Sequence, residues 1–337
     1  MTWLPLSAIN ANTFDSDANA LKALQPAAYQ SLNDFLAVAD QVNDRALLSL
    51  CKLYIAQTLK CRTLLPHADS ALLDALTNWP SNKRFSPAER AVLDFTDQFM
   101  VAAKDISDAQ IQALAQALNV SEPSTFVYAI YINEGYTRLL TFFDIDAEIR
   151  ATSNQSASVL GEKSDRENIE WVEGKKSATD PRLLAAYYAF NLATCSLHGI
   201  DEITDEIVRL RSAEYHDCKF CQSVRRVVDL PNGTDDLMQE VQQAHGSTRL
   251  TDQQKVALDV LEIFVTAPST VSTELQQKIL QHFSPVQIVE LLLKEVFWMS
   301  NKPMISLGTD PGAVSSTALT PFEYDAAGNF KLLKKRA

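Results

Sequence analysis
Glycine and proline are scarce, at 9 and 13 of 337 residues. With so few backbone punctuators the chain has little material for the turns of a many-stranded sheet, and no glycine-rich phosphate loop is present. Ala, Leu and Gln abound instead, and these helix formers predict a nearly all-α fold. Cysteine is also sparse. The five thiols, Cys51, Cys61, Cys195, Cys218 and Cys221, are too few and too unevenly spread for a secreted disulfide framework, so a CxxC here points to redox or metal chemistry. No apolar run reaches the roughly 18 residues of a membrane span. The opening MTWLPLSAIN lacks the basic n-region and apolar core of a signal peptide, and the chain reads as cytoplasmic. Basic residues are outnumbered, 30 Lys and Arg against 42 Asp and Glu, for a net charge of −12. That balance argues against nucleic acid or an anionic membrane as the principal partner, and the basic end from Lys331 to Arg336 reads as a solvated tail.

What is present is a succession of helix signals. An apolar pattern over Asn19–Val42 is split by Pro26, and Asp44 can cap a helix from Arg45 to about Cys61. A short helix from Ser70 to Leu76 precedes the breaker Trp79-Pro80-Ser81-Asn82. Ser86, Pro87 and Glu89 form a capping-box start, Ser107 with Asp108 starts another helix, and Ser121 to Pro123 leads into FVYAIYINEGYTRLLTFF. That run is apolar almost all round, interrupted by Glu134, Gly135 and Arg138. It reads as a central buried helix or subunit interface, not a span.

The second half repeats the first. FSPAERAVLDFTDQFMVAAKDIS from Phe85 matches LTDQQKVALDVLEIFVTAPSTVS from Leu250, an offset of 165. RALLSL from Arg45 lies over DEIVRL from Asp205, an offset of 160 that sets Cys61 over Cys221, and Thr137-Arg138 lies over Asn301-Lys302 at 164. Three blocks in one order at nearly constant offset predict an internal duplication. The expected organisation is a helical domain over 1–150, a polar, serine-rich linker over 151–179, a second helical domain over 180–315 and a tail over 316–337. In this register Ala46, Thr58 and Leu65 stand where the second half has Glu206, Cys218 and Arg225. Reactive residue types in one half only predict a site in the second domain and a degenerate first domain.

The chemistry concentrates in EIVRLRSAEYHDCKFCQSVR, Glu206 to Arg225. On an α-helix Cys218, Cys221 and Arg225 fall within roughly a 60° arc. Asp217 is the expected N-cap, which sets Cys218 in a first turn where the helix dipole and a nearby cation favour a thiolate. Glu206, on the preceding amphipathic segment, is the expected proton-transfer partner. His216 reads either as a surface histidine at the helix start or as a titrating group for the pair. The competing readings are two thiols packed as small hydrophobes, Glu206 as a solvated helix residue, and a zinc site; the last lacks a second CxxC or paired histidines. Cys51, Cys61 and Cys195 are expected core thiols.

Glu206, eleven residues, Cys218, two residues, Cys221, three residues and Arg225 together resemble the motif of the alkylhydroperoxidase D-like (AhpD-like), carboxymuconolactone decarboxylase family. There glutamate, CxxC and a histidine hold these places. The resemblance covers 180–310, with 20–145 as a second copy lacking the motif. It implies an all-α fold of two tandem AhpD-like domains and thiol-dependent reduction of alkyl hydroperoxides. It further implies Cys221 as attacking thiolate, Cys218 as resolving thiol and Glu206 in the proton relay. The partners it implies are a small-molecule peroxide, a dithiol or thioredoxin-like electron donor and further copies in a homo-oligomer, with no cofactor and no metal. A decarboxylase is disfavoured, since those members do not depend on a CxxC. The family's histidine is Arg225 here, and arginine stays protonated: it can stabilise a thiolate or bind an anion, but it cannot shuttle protons. A non-catalytic, redox-responsive helical module is the alternative.

Overall fold
The computed structural model describes residues 2–6, 17–65, 68–145, 179–226, 237–315, 319–324 and 330–333. The expected linker, apart from Thr179, lies outside them. The fold is predominantly all-α. Seven helices precede that gap: α1 Asp17–Leu24, α2 Pro26–Val42, α3 Arg45–Thr58, α4 Ser70–Leu76, α5 Pro87–Ala102, α6 Asp108–Leu118 and α7 Ser124–Phe142. After it come α8 Pro181–Cys195, α9 Glu202–Tyr215, α10 Lys219–Ser223, α11 Leu237–Gln242 and α12 Asp252–Thr266, then α13 Thr273–His282, α14 Pro285–Trp298 and α15 Asn301–Ser306. Among the described residues no helix is long and apolar enough to cross a membrane.

Local chemistry fixes these boundaries. Reciprocal capping boxes open α5 (Ser86 with Glu89), α6 (Ser107 with Gln110), α12 (Thr251 with Gln254) and α14 (Ser284 with Gln287), each satisfying two otherwise orphaned amides. The starts of α5 and α12, Pro87 and Asp252, are 165 residues apart. Gln25 separates α1 from α2, which has Pro26 in its first turn.

Upstream, caps and turns repeat at a different offset from the sequence blocks. Asp44 caps α3 and Asp201 caps α9, two helices of equal length 157 residues apart. Each is followed by a residue with left-handed backbone, Lys60 at φ 58° and Asp217 at φ 57°. The next amide then reaches back in the same way, Cys61 N–H to Ala56 O at 2.8 Å and Cys218 N–H to Ala213 O at 2.9 Å. At this offset of 157 Cys61 lies over Cys218 and Ser49 over Glu206, where the offset of 160 sets Cys61 over Cys221 and Ala46 over Glu206. Matching RALLSL to DEIVRL followed hydrophobic similarity, whereas caps and turns set where a helix sits.

The apolar side chains of both halves form one continuous core, from Leu4 to Met299. Within it α2 packs on α8, while α7 packs on α12, α14, α15 and the short turn Pro268–Thr270. The core includes Phe126, Tyr131 and Phe142 of α7, each no more than 1% exposed. Burying each such ring contributes about 1.5–3 kcal/mol. α7 and α14 approach closely at Gly135, where a Cβ would stand 2.7 Å from a Val296 methyl.

The contacts across the middle are reciprocal. Arg138 of α7 donates to the carbonyls of Phe264 (3.1 Å) and Val265 (2.6 Å), while Lys302 of α15 holds its ammonium 4.5 Å from the centre of the Phe99 ring. Both cations converge on Glu134, Arg138 Nη2 at 2.7 Å and Lys302 Nζ at 2.6 Å, all fully buried. Desolvation by burial lowers the Lys302 pKa to about 8.

The segment expected to be a tail carries a small sheet. β2 (Thr320–Tyr324) pairs in parallel with β1 (Val224–Arg226) and antiparallel with β3 (Phe330–Leu332), in the order β1-β2-β3. Phe330 packs on Phe322 and reaches back to Phe220. The C-terminal strands thereby cover the stretch that follows the cysteines.

Candidate functional site
The reactive stretch is a helix, a left-handed residue and a very short second helix. Asp217 does not cap α10. It is the left-handed residue itself, a conformation Asp tolerates better than most non-glycine residues. Cys218 takes the N-cap position, and its Sγ accepts the Cys221 N–H at 3.2 Å. The Lys219 N–H is held instead by Asp310 Oδ2 at 3.1 Å. Cys218 and Cys221 are joined as a disulfide with Cα atoms 5.3 Å apart. Cys218 is fully buried and Cys221 half-buried, so a molecule arriving from solvent meets Cys221 first.

α10 ends at Ser223 and the chain turns into β1, so Arg225 does not share a helical face with the cysteines as expected from spacing. Its buried guanidinium donates through Nη1 to the carbonyls of Gln222 (2.7 Å) and Val224 (2.8 Å). The arginine closes the end of α10 through its backbone.

Glu206 is not a solvated helix residue: it is 1% exposed. Its carboxylate accepts from Arg209 Nε at 2.6 Å and Nη2 at 2.7 Å, and from the Arg226 N–H at 3.2 Å. Arg209 then donates Nη1 to Cys221 O and Nη2 to Val224 O, both at 2.9 Å. Phe322 of β2 lies over the guanidinium, 5.2 Å from ring centre to Cζ. Glu206 thus reaches the cysteine turn through Arg209. That arginine went unrecognised in the sequence, although a glutamate three residues before an arginine on one helix face is a sequence signal for such a pair.

His216 is not a surface residue either. It closes the C-terminal end of α9 at 8% exposure, edge-on to Tyr215. Burial, and then the charges of Lys302 and Arg138, hold its pKa well below the ordinary histidine value, so the ring is neutral. Its Nε2 has no hydrogen-bond partner among the described residues. One turn earlier, Ser212 Oγ donates to Glu295 Oε1 at 3.0 Å. Burial raises the Glu295 pKa well above the carboxylate range, outweighing Ser212 and Arg138, which lower it.

Cys51 and Cys61 are buried free thiols, as expected, and burial pushes the Cys51 thiol up to about 12. Cys195 is half-buried and lines a cleft with Asp205, Arg226, Lys294 and Tyr324. There Asp205 Oδ2 bridges Arg226 Nη1 (2.7 Å) and Lys294 Nζ (2.9 Å). Burial, reinforced by Asp205, pushes the Cys195 thiol to about 12, so it is not a thiolate near neutral pH. Among the described residues no three His, Cys, Asp or Glu side chains gather as a metal site.

No family model matches the chain. It is similar to two uncharacterized proteins of Mycobacterium tuberculosis, from strains CDC 1551 / Oshkosh and H37Rv. Each is 27% identical over 232 residues, 68% of this chain and 76% of the relative. No solved structure matches it.

Proposed function
We propose that the chain is a thiol-dependent oxidoreductase that reduces alkyl hydroperoxides through a dithiol–disulfide cycle at Cys218 and Cys221. One observation carries this reading: the two cysteines close a disulfide across one short turn, Cys218 fully buried and Cys221 only partly so. The resemblance of Glu206, Cys218 and Cys221 to the alkylhydroperoxidase D-like motif supports it, as does the parallel order of caps and turns in the two halves, which we read as a duplication.

The half-buried Cys221 thiolate, reachable from solvent where Cys218 is not, attacks the terminal peroxide oxygen. The O–O bond breaks, the alkoxide takes a proton from solvent, and Cys221 becomes a sulfenic acid. Cys218 then attacks that sulfur, giving the disulfide and water. A dithiol donor, small or thioredoxin-like, returns both cysteines to thiols and is itself oxidised. The N–H of Cys221, aimed at Cys218 Sγ, stabilises a thiolate there. Glu206 acts through Arg209 and Arg225 closes the turn, while neutral His216 contributes packing and a free ring nitrogen beneath it. No cofactor is needed for this cycle.

The test is consumption of an organic hydroperoxide with a dithiol reductant. Wild type turns over, and Cys221→Ser abolishes it; undiminished turnover by Cys221→Ser sinks the reading. The second reading is a redox-responsive module without turnover, favoured by the pairing of β2 with the strand directly after the cysteines. It predicts no peroxide consumption and a change of elution volume in gel filtration between oxidised and reduced chain.

A further inference from the structure
We infer that Arg209 is a positioning residue for the dithiol turn: it holds the backbone at Cys221 in the shape that brings the two sulfurs together, with Phe322 of the C-terminal strands sealing it in place. The inference rests on the redox reading above.

α10 has five residues, too few to hold its own shape, because helix nucleation is unfavourable and the last carbonyls of any helix lack partners within it. Here those carbonyls are taken up from outside. Arg209 spans Glu206 on one side and the carbonyls of Cys221 and Val224 on the other, using four hydrogen bonds of 2.6–2.9 Å. A planar fork with five fixed donors makes these four hydrogen bonds to a carboxylate and two carbonyls at once, whereas a lysine ammonium has three donors on a single nitrogen and cannot make all four. Glu206 cancels the charge, so the pair acts by geometry more than by field. The ring of Phe322, itself 1% exposed, covers the guanidinium and keeps water from competing for its donors.

The first half shows the same turn without this device. Lys52 stands opposite Arg209, and its ammonium pairs with Asp40 of α2. The turn at Cys61 carries no second cysteine, and Leu64 occupies the place of Cys221. The guanidinium clamp and the dithiol occur together in one half and are absent together from the other.

The consequence is measurable as the effective concentration of one thiol at the other. Protein dithiol and oxidised glutathione exchange to protein disulfide and two reduced glutathiones; two S–H bonds are lost from the protein, one S–S bond forms in it, and glutathione takes both electrons and both protons. The full chain is equilibrated in glutathione buffers and its dithiol fraction read by alkylation and mass. Arg209→Lys, which keeps the charge beside Glu206 but loses the fork, is expected to lower the constant for disulfide formation about tenfold, while circular dichroism reports a folded chain. A merely structural role lowers the melting temperature and leaves that constant unchanged, and this result overturns the inference. Should Arg209→Lys not fold, Phe322→Leu decides: it keeps every Arg209 hydrogen bond, opens its face to water, and is expected to shift the constant about threefold in the same direction, an unchanged value again overturning the inference. A wild-type chain whose two cysteines do not exchange with glutathione at all overturns the redox reading and this inference with it.

Discussion

The end of α3 and the end of α9 share one backbone pattern and differ in their side chains. Each helix starts on an aspartate, runs the same length, and breaks at a left-handed residue before a buried cysteine whose amide reaches back to an alanine carbonyl. The difference lies in what is hung on that frame. Along α3 the places of Glu206, Arg209 and Ser212 belong to Ser49, Lys52 and Ile55. Behind α9, Glu295 accepts from Ser212; at the offset of 164 that matches Arg138 with Lys302, its counterpart is Tyr131, whose hydroxyl donates to Val296 O at 2.8 Å. The backbone of such a turn and the side chains set on it are thus separable, and the difference amounts to a handful of buried polar side chains in one half.

The largest expected effect breaks the comparison at Glu206. Glu206→Ala strands the buried Arg209 guanidinium and should destabilise the chain by about 3–5 kcal/mol. Ser49→Ala, on an exposed face of α3, should stay within about 0.5 kcal/mol. Denaturant melts of the two variants side by side measure this.

A middling effect separates the two halves by pH. Glu295 is held protonated by burial, whereas in the unfolded chain it ionises above its ordinary value of 4.5. The folded state therefore binds more protons there, and stability from this group is complete below pH 4.5 and declines as pH rises. Glu295→Gln removes that decline and should stabilise the chain by about 1–3 kcal/mol at pH 7.5, the gain vanishing towards pH 4.5. His216 works in the opposite sense, since it is neutral in the fold and protonates below 6.5 only when unfolded. Its contribution is lost on acidification in both chains and cancels in the difference. Paired melts at several pH values, wild type against variant, report the sign.

The smallest effect tests the sameness of the frames. Asp44→Ala and Asp201→Ala each remove a side chain that accepts amides at a helix start. Each should cost about 1 kcal/mol, and about equally, by thermal denaturation.

Much of this was readable from residues. The capping box at Ser86 announces α5 and Ser107 with Asp108 announces α6, because such signals act within four residues, and the CxxC announces itself by type and spacing. Arg225 was misplaced because a period of 3.6 residues assumes that the helix continues, and what ends it is a strand whose partner arrives about a hundred residues later. His216 and Glu206 look solvent-facing beside their immediate neighbours, whereas Glu206 is buried with Arg209 under Phe322 of β2, and His216 is buried within reach of the charges of Lys302 and Arg138. Asp217 was read as a cap because aspartate serves both caps and left-handed turns, and sequence alone does not separate the two uses.

The crossing of Arg138 to the carbonyls of Phe264 and Val265, and of Lys302 to Phe99, has a consequence for the birth of the chain. Those contacts join residues more than 120 positions apart, and α7 is buried almost all round partly by helices that follow it by that distance. On the ribosome the first half emerges long before its cover is made, with α7 bare on the side that α12 and α14 will occupy. Closure of that interface is a late, non-local event, so loop-closure entropy has to be met before these contacts can form, although the helices themselves are local.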